Sequence, residues 1–394
     1  MPLAVDEKGK REISALYREY LLYTVAGDLL LNEVREHLFL DDVDSAWMDT
    51  DARAAEYVTV VGFGDAIRDA VYRIFEEEAA PPYGELKKWY TPEVLAEALF
   101  DAAAVQVHRL PAETVLSNLY YKTVQPKKGV AGAISLLTSD YVPYEMFQMF
   151  HEERPGISPF ATADVGFFEK PVTFPVLEED GRVWMSVVQS EIASMAAGIS
   201  AAHGRVVTFG LGLGYYTFMA AAKDDVSRVT VIEKNPDVIT IFETYILPQF
   251  PFADKIEIIE DDAFCFLEKT EDGAYDFGYA DFWEGTEDGT LLYLKFLQKA
   301  KRFSQTKFAY WIESAFIDAY FRPAAMACFL RACGKKPFAF GTSAKIERLQ
   351  TSFANFLSEH VPEIKNPRVF LSNANLTALV RKWAVRGYHE KNHF

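Results

Sequence analysis

Apolar residues recur at two different spacings along this chain, and the change from one to the other divides it. Ile13, Leu16, Tyr17, Tyr20 and Leu21 follow i, i+3, i+4, i+7 and i+8, which gives a helix one apolar face. Thr91, Pro92 and Glu93 start another helix: the hydroxyl can cap free backbone donors, Pro fits the first turn, and Glu favours the positive dipole end. Pro81-Pro82-Tyr83-Gly84 and Gln125-Pro126-Lys127-Lys128-Gly129 read as breaks between helices. Residues 1–165 are therefore expected to form a mostly helical N-terminal domain. Gly62-Phe63-Gly64 follows an apolar run, but it has no third glycine and no second strand ending in an acid, so it reads as a structural turn.

From residue 166 the pattern becomes that of strands. Val172-Thr173-Phe174 and Val183-Trp184-Met185 flank Glu178-Glu179-Asp180-Gly181, and an Asp-Gly pair between apolar runs predicts a hairpin. A helix with Ile192, Met195 and Ile199 on one face follows and ends at His203-Gly204. Residues 166–204 are thus a hairpin and lead-in helix. Strands are then predicted at 205–209, 228–233, 255–260, 275–281 and 307–313, with helices between them at 237–247 and 290–302. This alternation implies a Rossmann-like, mostly parallel, doubly wound α/β sheet over 205–394. Its C-terminal part is helical at 315–333 and 346–360, and the pattern does not place the last strands. Such sheets bind ligands at the carboxyl ends of their strands, so the residues just after each strand matter most.

The strongest chemical signal lies after the first of these strands. Val206-Val207-Thr208-Phe209 runs into Gly210-Leu211-Gly212-Leu213-Gly214-Tyr215 and then a helix. Glycines there allow a tight turn and close approach of a ligand to the backbone. Tyr215 stands where a dinucleotide fingerprint needs glycine, which weakens an NAD oxidoreductase reading and suits a nucleoside without a pyrophosphate. Val229-Thr230-Val231-Ile232-Glu233 ends in an acid able to accept from both ribose hydroxyls. Asp262, after the third strand, reads either as an acceptor for an adenine amino group, with Phe264 nearby, or as a helix cap. The fourth strand ends at Asp281, beside Phe282, Trp283 and Glu284. Phe282 and Trp283 suit either ligand stacking or core packing. Gln189 and Glu191 read as pocket-mouth residues or as a solvated helix face, Trp311 as core, and Glu313 as a weaker site candidate.

This order of motifs resembles the class I S-adenosylmethionine-dependent methyltransferase superfamily, and within it the spermidine synthase branch, over residues 180–315. The resemblance implies that Gly210, Gly212 and Gly214 line the amino-acid part of S-adenosylmethionine. It puts Glu233 on the ribose and Asp262 with Ala263 at the adenine. Asp281 falls where spermidine synthases keep a carboxylate that binds and deprotonates the attacking amine, and Glu284 where they keep a second acid. Both are the catalytic candidates, and Asp281 is a cofactor-side candidate as well. Leu213 departs from that branch, which has an aspartate there; this favours methyl transfer over aminopropyl transfer to a polyamine. A non-catalytic nucleoside-binding relative is the further alternative.

The net charge of −17 disfavours nucleic acid and tolerates a cationic group on the small or medium acceptor that the resemblance implies. The three cysteines form no CxxC pair and the seven histidines show no ligand spacing, so no metal is expected. No apolar run approaches ~18 residues and none opens the chain, which predicts a cytoplasmic protein off the membrane.

Overall fold

The computed structural model describes residues 5–35, 64–76, 83–104, 107–125, 127–143, 145–151, 153, 158–161, 163–337, 343–361 and 363–386. Gly62 and Phe63 of the glycine turn, Pro81 and Pro82, and Pro126 lie outside these residues. The chain divides into two compact units. One comprises Met1–Arg109, Tyr144–Phe167 and Ser314–Phe394, and the other Leu110–Pro143 and Phe168–Glu313.

The second unit holds the predicted sheet. Its five strands, in chain order, are Gly204–Phe209, Val226–Glu233, Ile256–Glu260, Phe277–Ala280 and Lys307–Tyr310. In space they lie third, second, first, fourth, fifth, and every pairing is parallel. The fold is Rossmann-like α/β. Val206, Val207 and Phe209 of the first strand and Val229, Val231 and Ile232 of the second are all buried, as a sheet covered by helices on both faces requires. Strand order reverses between the first and fourth strands, and this opens a crevice beyond their carboxyl ends.

The strands form where the apolar runs predict them, but the last two stop short. Asp281 and residues 311–313 lie just past the strand ends. The helix expected at 237–247 is α-helical over Pro236–Ile241 and widens to a π-helix over Phe242–Ile246. The helix expected at 290–302 begins at Thr286, because Asp288 accepts from the backbone N–H groups of Glu284 and Gly285 and caps an earlier turn.

The hairpin also forms. Val172–Glu179 and Arg182–Ser186 pair antiparallel, with Asp180 at φ 51° and Gly181 at φ 80° as the two turn residues. Two further strands, Gly129–Ala131 and Ile134–Tyr141, complete a four-stranded sheet. Both lie within the stretch expected to be mostly helical to residue 165, and the sequence pattern did not place them. Ile134 and Leu136 are buried while Ser135 between them is only half-buried, a period of two that the nearby helical segments obscured.

The first unit is largely helical, and helices from both ends of the chain build it. Glu7–Arg35 buries Ile13, Leu16, Tyr17, Tyr20 and Leu21 as predicted. It contacts Pro92–Ala104 as well as two C-terminal helices, Arg322–Ala332 and Pro367–Phe370. A small sheet in the order Val107–Leu110, Val165–Phe168, Phe147–Gln148 accompanies them. The expected domain limits at 165 and 204 therefore do not coincide with the units. Long-range ion pairs show why. Arg368 meets Glu19 at 2.5 Å, and the buried Arg322 meets Glu153 at 3.0 Å. No local sequence pattern reveals such pairings. No helix among the described residues is long and apolar enough to cross a membrane.

Candidate active site

A pocket of about 310 Å³ opens at the carboxyl ends of the first four strands. Gly210, Gly212, Glu233, Asp262, Ala263, Asp281 and Glu284 all line it. Gly214 does not. It takes φ 71° ahead of the helix Tyr215–Ala221, and a Cβ there would sit 2.2 Å from the Phe242 ring. Its glycine is needed for packing of the loop rather than for lining the pocket.

The loop itself is held from two sides. A Cβ on Gly210 would lie 1.7 Å from the Asp281 carbonyl oxygen, so only glycine lets the first and fourth strand ends come together. Asp281 is further fixed by its N–H, which donates to the Phe209 carbonyl at 2.8 Å. Glu233 is 6% exposed, and both of its oxygens accept backbone N–H groups, from Leu211 at 3.1 Å and Asn235 at 2.8 Å. Each oxygen keeps a lone pair for a further donor. Glu233 therefore shapes the glycine loop and still offers acceptors to the pocket.

Asp262 fills both roles that its position allows. Its Oδ1 accepts from Phe264 N–H at 2.9 Å and Cys265 N–H at 3.1 Å, capping Ala263–Lys269, while the residue also faces the pocket. Glu284 is exposed at the rim, 3.6 Å from Arg182. Phe282 lines the pocket and packs edge-on against Phe264 at 5.7 Å. Trp283 is buried against Tyr293 but still presents atoms to the pocket. Trp311 donates its indole N–H to Ser194 Oγ at 2.8 Å and also lines the wall. Glu313 accepts from the Tyr293 hydroxyl and does not line the pocket. Gln189 is likewise outside it, buried where its N–H donates to the Tyr141 hydroxyl at 3.1 Å.

Of the two residues expected either at the pocket mouth or on a solvated helix face, Gln189 and Glu191, only Glu191 reaches the pocket. On the first turn of Gln189–Ala201 it projects into the pocket beside Asp281. Burial raises both carboxyls to about 8, and for Glu191 the Asp281 charge adds to the effect. The signal that pointed to it was position: an acid in the first turn of the helix preceding the glycine strand. Trp184, Met185, Lys234 and Asp288 also line the site without a motif to mark them. Among the described residues the lining carries seven carboxylates and one lysine, so the pocket is strongly electronegative. No group of three His, Cys, Asp or Glu among the described residues is arranged to hold a metal ion.

No family model matches the chain, and no curated protein matches it. Solved structures do. The solved structures that resemble it include spermidine synthases. One is spermidine synthase from Thermotoga maritima, at 14% identity and a TM-score of 0.31, over 50% of this chain and 61% of that one. Another is a spermidine synthase in complex with the transition-state analogue AdoDATO, at 14% identity and a TM-score of 0.30, over 53% of this chain and 62% of that one. The chain thus spans about three fifths of the length of these relatives.

Proposed function

We propose that the pocket binds S-adenosylmethionine and that the protein transfers its methyl group to a small amine acceptor. The observation that carries this reading is the convergence on one pocket of the Gly210–Gly212 loop, Glu233 after the second strand and Asp281 after the fourth. The residues fit such a donor. The volume lies at the lower end of the ~300–1,000 Å³ usual for small-molecule sites. Glu233 keeps free lone pairs for ribose hydroxyls, and Asp262 with Ala263 borders the space beside Phe264 and Phe282 for a base. The sulfonium supplies an activated methyl carbon and a positive charge that the carboxylate-rich wall favours.

The chain's own contribution is alignment and proton handling. The strand ends fix Asp281 against Gly210, so its carboxyl would hold and orient an acceptor amine with little freedom lost on binding. Asp281 accepts the proton that the amine must lose, and a carboxyl held near 8 is matched to that task around neutral pH. Aromatic walls at Phe282, Trp283 and Trp311 exclude water from the line of attack.

A second reading, aminopropyl transfer from decarboxylated S-adenosylmethionine, is favoured by the pocket's charge. Lys234 is its only basic side chain among the described residues, which leaves little to hold a donor carboxylate. Leu213 counts the other way: it is 1% exposed and outside this pocket, so it offers no acid to a donor amine.

Calorimetric titration with S-adenosylmethionine, S-adenosylhomocysteine, decarboxylated S-adenosylmethionine, methylthioadenosine and NAD separates these readings. The methyl-transfer reading expects S-adenosylmethionine and S-adenosylhomocysteine to bind and NAD not to bind. Preference for the decarboxylated donor selects the second reading, and binding of none removes both. Glu233→Ala is expected to weaken binding by about 1–3 kcal/mol, as charged acceptors are lost.

A further inference from the structure

Behind the main pocket lies a second chamber of about 20 Å³. Glu191, Asp281 and Gly210 belong to the walls of both. The chamber's own wall adds Tyr216, which is 5% exposed and whose hydroxyl has no hydrogen-bond partner. The Tyr216 ring is stacked on Tyr279, with centroids 3.9 Å apart and planes at 5°, so it cannot swing away. A buried hydroxyl is costly to leave unpaired. The wall is mostly apolar, but the space admits one water, for which ~10–15 Å³ suffices when two or more polar partners are present. Tyr216, Asp281 and Glu191 are polar side chains that its wall offers to such a water.

We propose that Tyr216 is a positioning residue for proton transfer: its hydroxyl and one water in the chamber join Asp281 to Glu191, giving the acceptor's proton a route off Asp281. The inference rests on the amine-transfer reading above. In that reaction the nitrogen lone pair forms the new nitrogen–carbon bond as the carbon–sulfur bond breaks and its electron pair stays on sulfur. The product ammonium then releases one proton to the Asp281 carboxylate. The chamber water accepts that proton from Asp281 while passing another to Glu191, so Asp281 is again ionised, and Glu191, which also lines the open main pocket, gives its proton to solvent there. No oxidant or further reactant enters the balance.

The surroundings suit a relay between two acids. Glu191 comes from the helix before the first strand, Tyr279 from the fourth strand and Tyr216 from the helix after the glycine loop. Tyr121, on the short helix Leu119–Thr123, and Tyr141, at the end of the strand Ile134–Tyr141, face Glu191 as well. Among the described residues no basic side chain lines the chamber to trap the proton. Both carboxyls are raised to about 8, so either can hold or release a proton near neutral pH.

Carbon-detected NMR of protein labelled at its Asp and Glu carboxyls tests this without any ligand, and so independently of whether a sulfonium nucleoside binds. Asp281→Asn and Glu191→Gln assign the two signals. Tyr216→Phe keeps the ring stack and the packing, so the melting temperature is expected to hold. Losing the hydroxyl that stabilises the charged form should raise the titration midpoint of the pair by about one pH unit, a tenfold change in proton affinity. Tyr279→Phe, whose hydroxyl is also unpartnered and faces both acids but does not line the chamber, should move the midpoint clearly less than Tyr216→Phe does. An unmoved midpoint in Tyr216→Phe overturns the proposal. An equal shift in Tyr279→Phe also overturns it, because the effect would then belong to the ring stack.

Discussion

Two glycines with positive φ separate conformational need from close approach. Gly181 at φ 80° has nothing within 4 Å of where a Cβ would be, whereas Gly210 at φ 99° would place one 1.7 Å from the Asp281 carbonyl oxygen. Gly181→Ala meets only the left-handed strain, about 1–2 kcal/mol. Gly210→Ala adds a backbone clash that no rotamer can relieve, of about 1–3 kcal/mol more. Urea denaturation of the two variants should therefore show a small loss at the hairpin and a larger one at the strand ends. Only Gly210→Ala should also weaken nucleoside binding, since it pushes Asp281 away from the first strand. Equal losses would mean that the loop yields more easily than its geometry implies. At this scale the sequence was informative where spacing carries meaning. The glycine loop and the acids after each strand could be read from it, and most of them meet at one pocket. Gly214 shows the limit: its need for glycine comes from the Phe242 ring, and nothing near Gly214 in the sequence announces that neighbour.

Elements form where local chemistry and burial agree. Asp262 satisfies two N–H groups at the start of Ala263–Lys269, and that helix turns the chain so that Ala263 and Phe264 border the pocket. Asp262→Ala should cost about 1 kcal/mol of stability through the lost cap, and Asp262→Asn should largely restore it, since both side chains cap well. Thermal unfolding of the ligand-free variants checks this. If Asp262→Asn proved as unstable as Asp262→Ala, the charge rather than the cap would be what matters. The five parallel strands were legible because each is a short apolar run ending in a turn or an acid. Ile134–Tyr141 was not legible, because its central sheet neighbour, Val172–Glu179, lies over thirty residues away in the chain and only that pairing defines its buried face.

For the molecule as a whole, the charge that the pocket buries sets how stability responds to pH. Arg322 offers a reference point, since it is 2% exposed and bound by Asp318, Glu153 and Asn373. Arg322→Met leaves those acids without their cation and should cost about 3 kcal/mol in thermal or urea unfolding. The pocket acids act differently. Asp281 and Glu191 ionise near 4 in an unfolded chain and at about 8 when folded, so across that window the folded state holds more protons. Stability then falls as pH rises, because the slope follows the protons bound by the unfolded state minus those bound by the folded state. Surface acids such as Asp276, held down by Arg205, and Asp261, held down by Lys269, have the opposite sign, but they exert it only below the ordinary carboxylate range. Between pH 5 and 8 the pocket pair therefore dominates among these groups, and the melting temperature of the ligand-free protein should decline. The double variant Asp281→Asn, Glu191→Gln should flatten that decline, and a slope unchanged by it would remove the pair as the cause. A cationic donor favours the ionised pair, so its binding should release protons and tighten as pH rises toward 8. Titrations in buffers of different ionisation enthalpy measure that release directly, and proton uptake instead would show that the bound group is not a cation facing these two carboxylates.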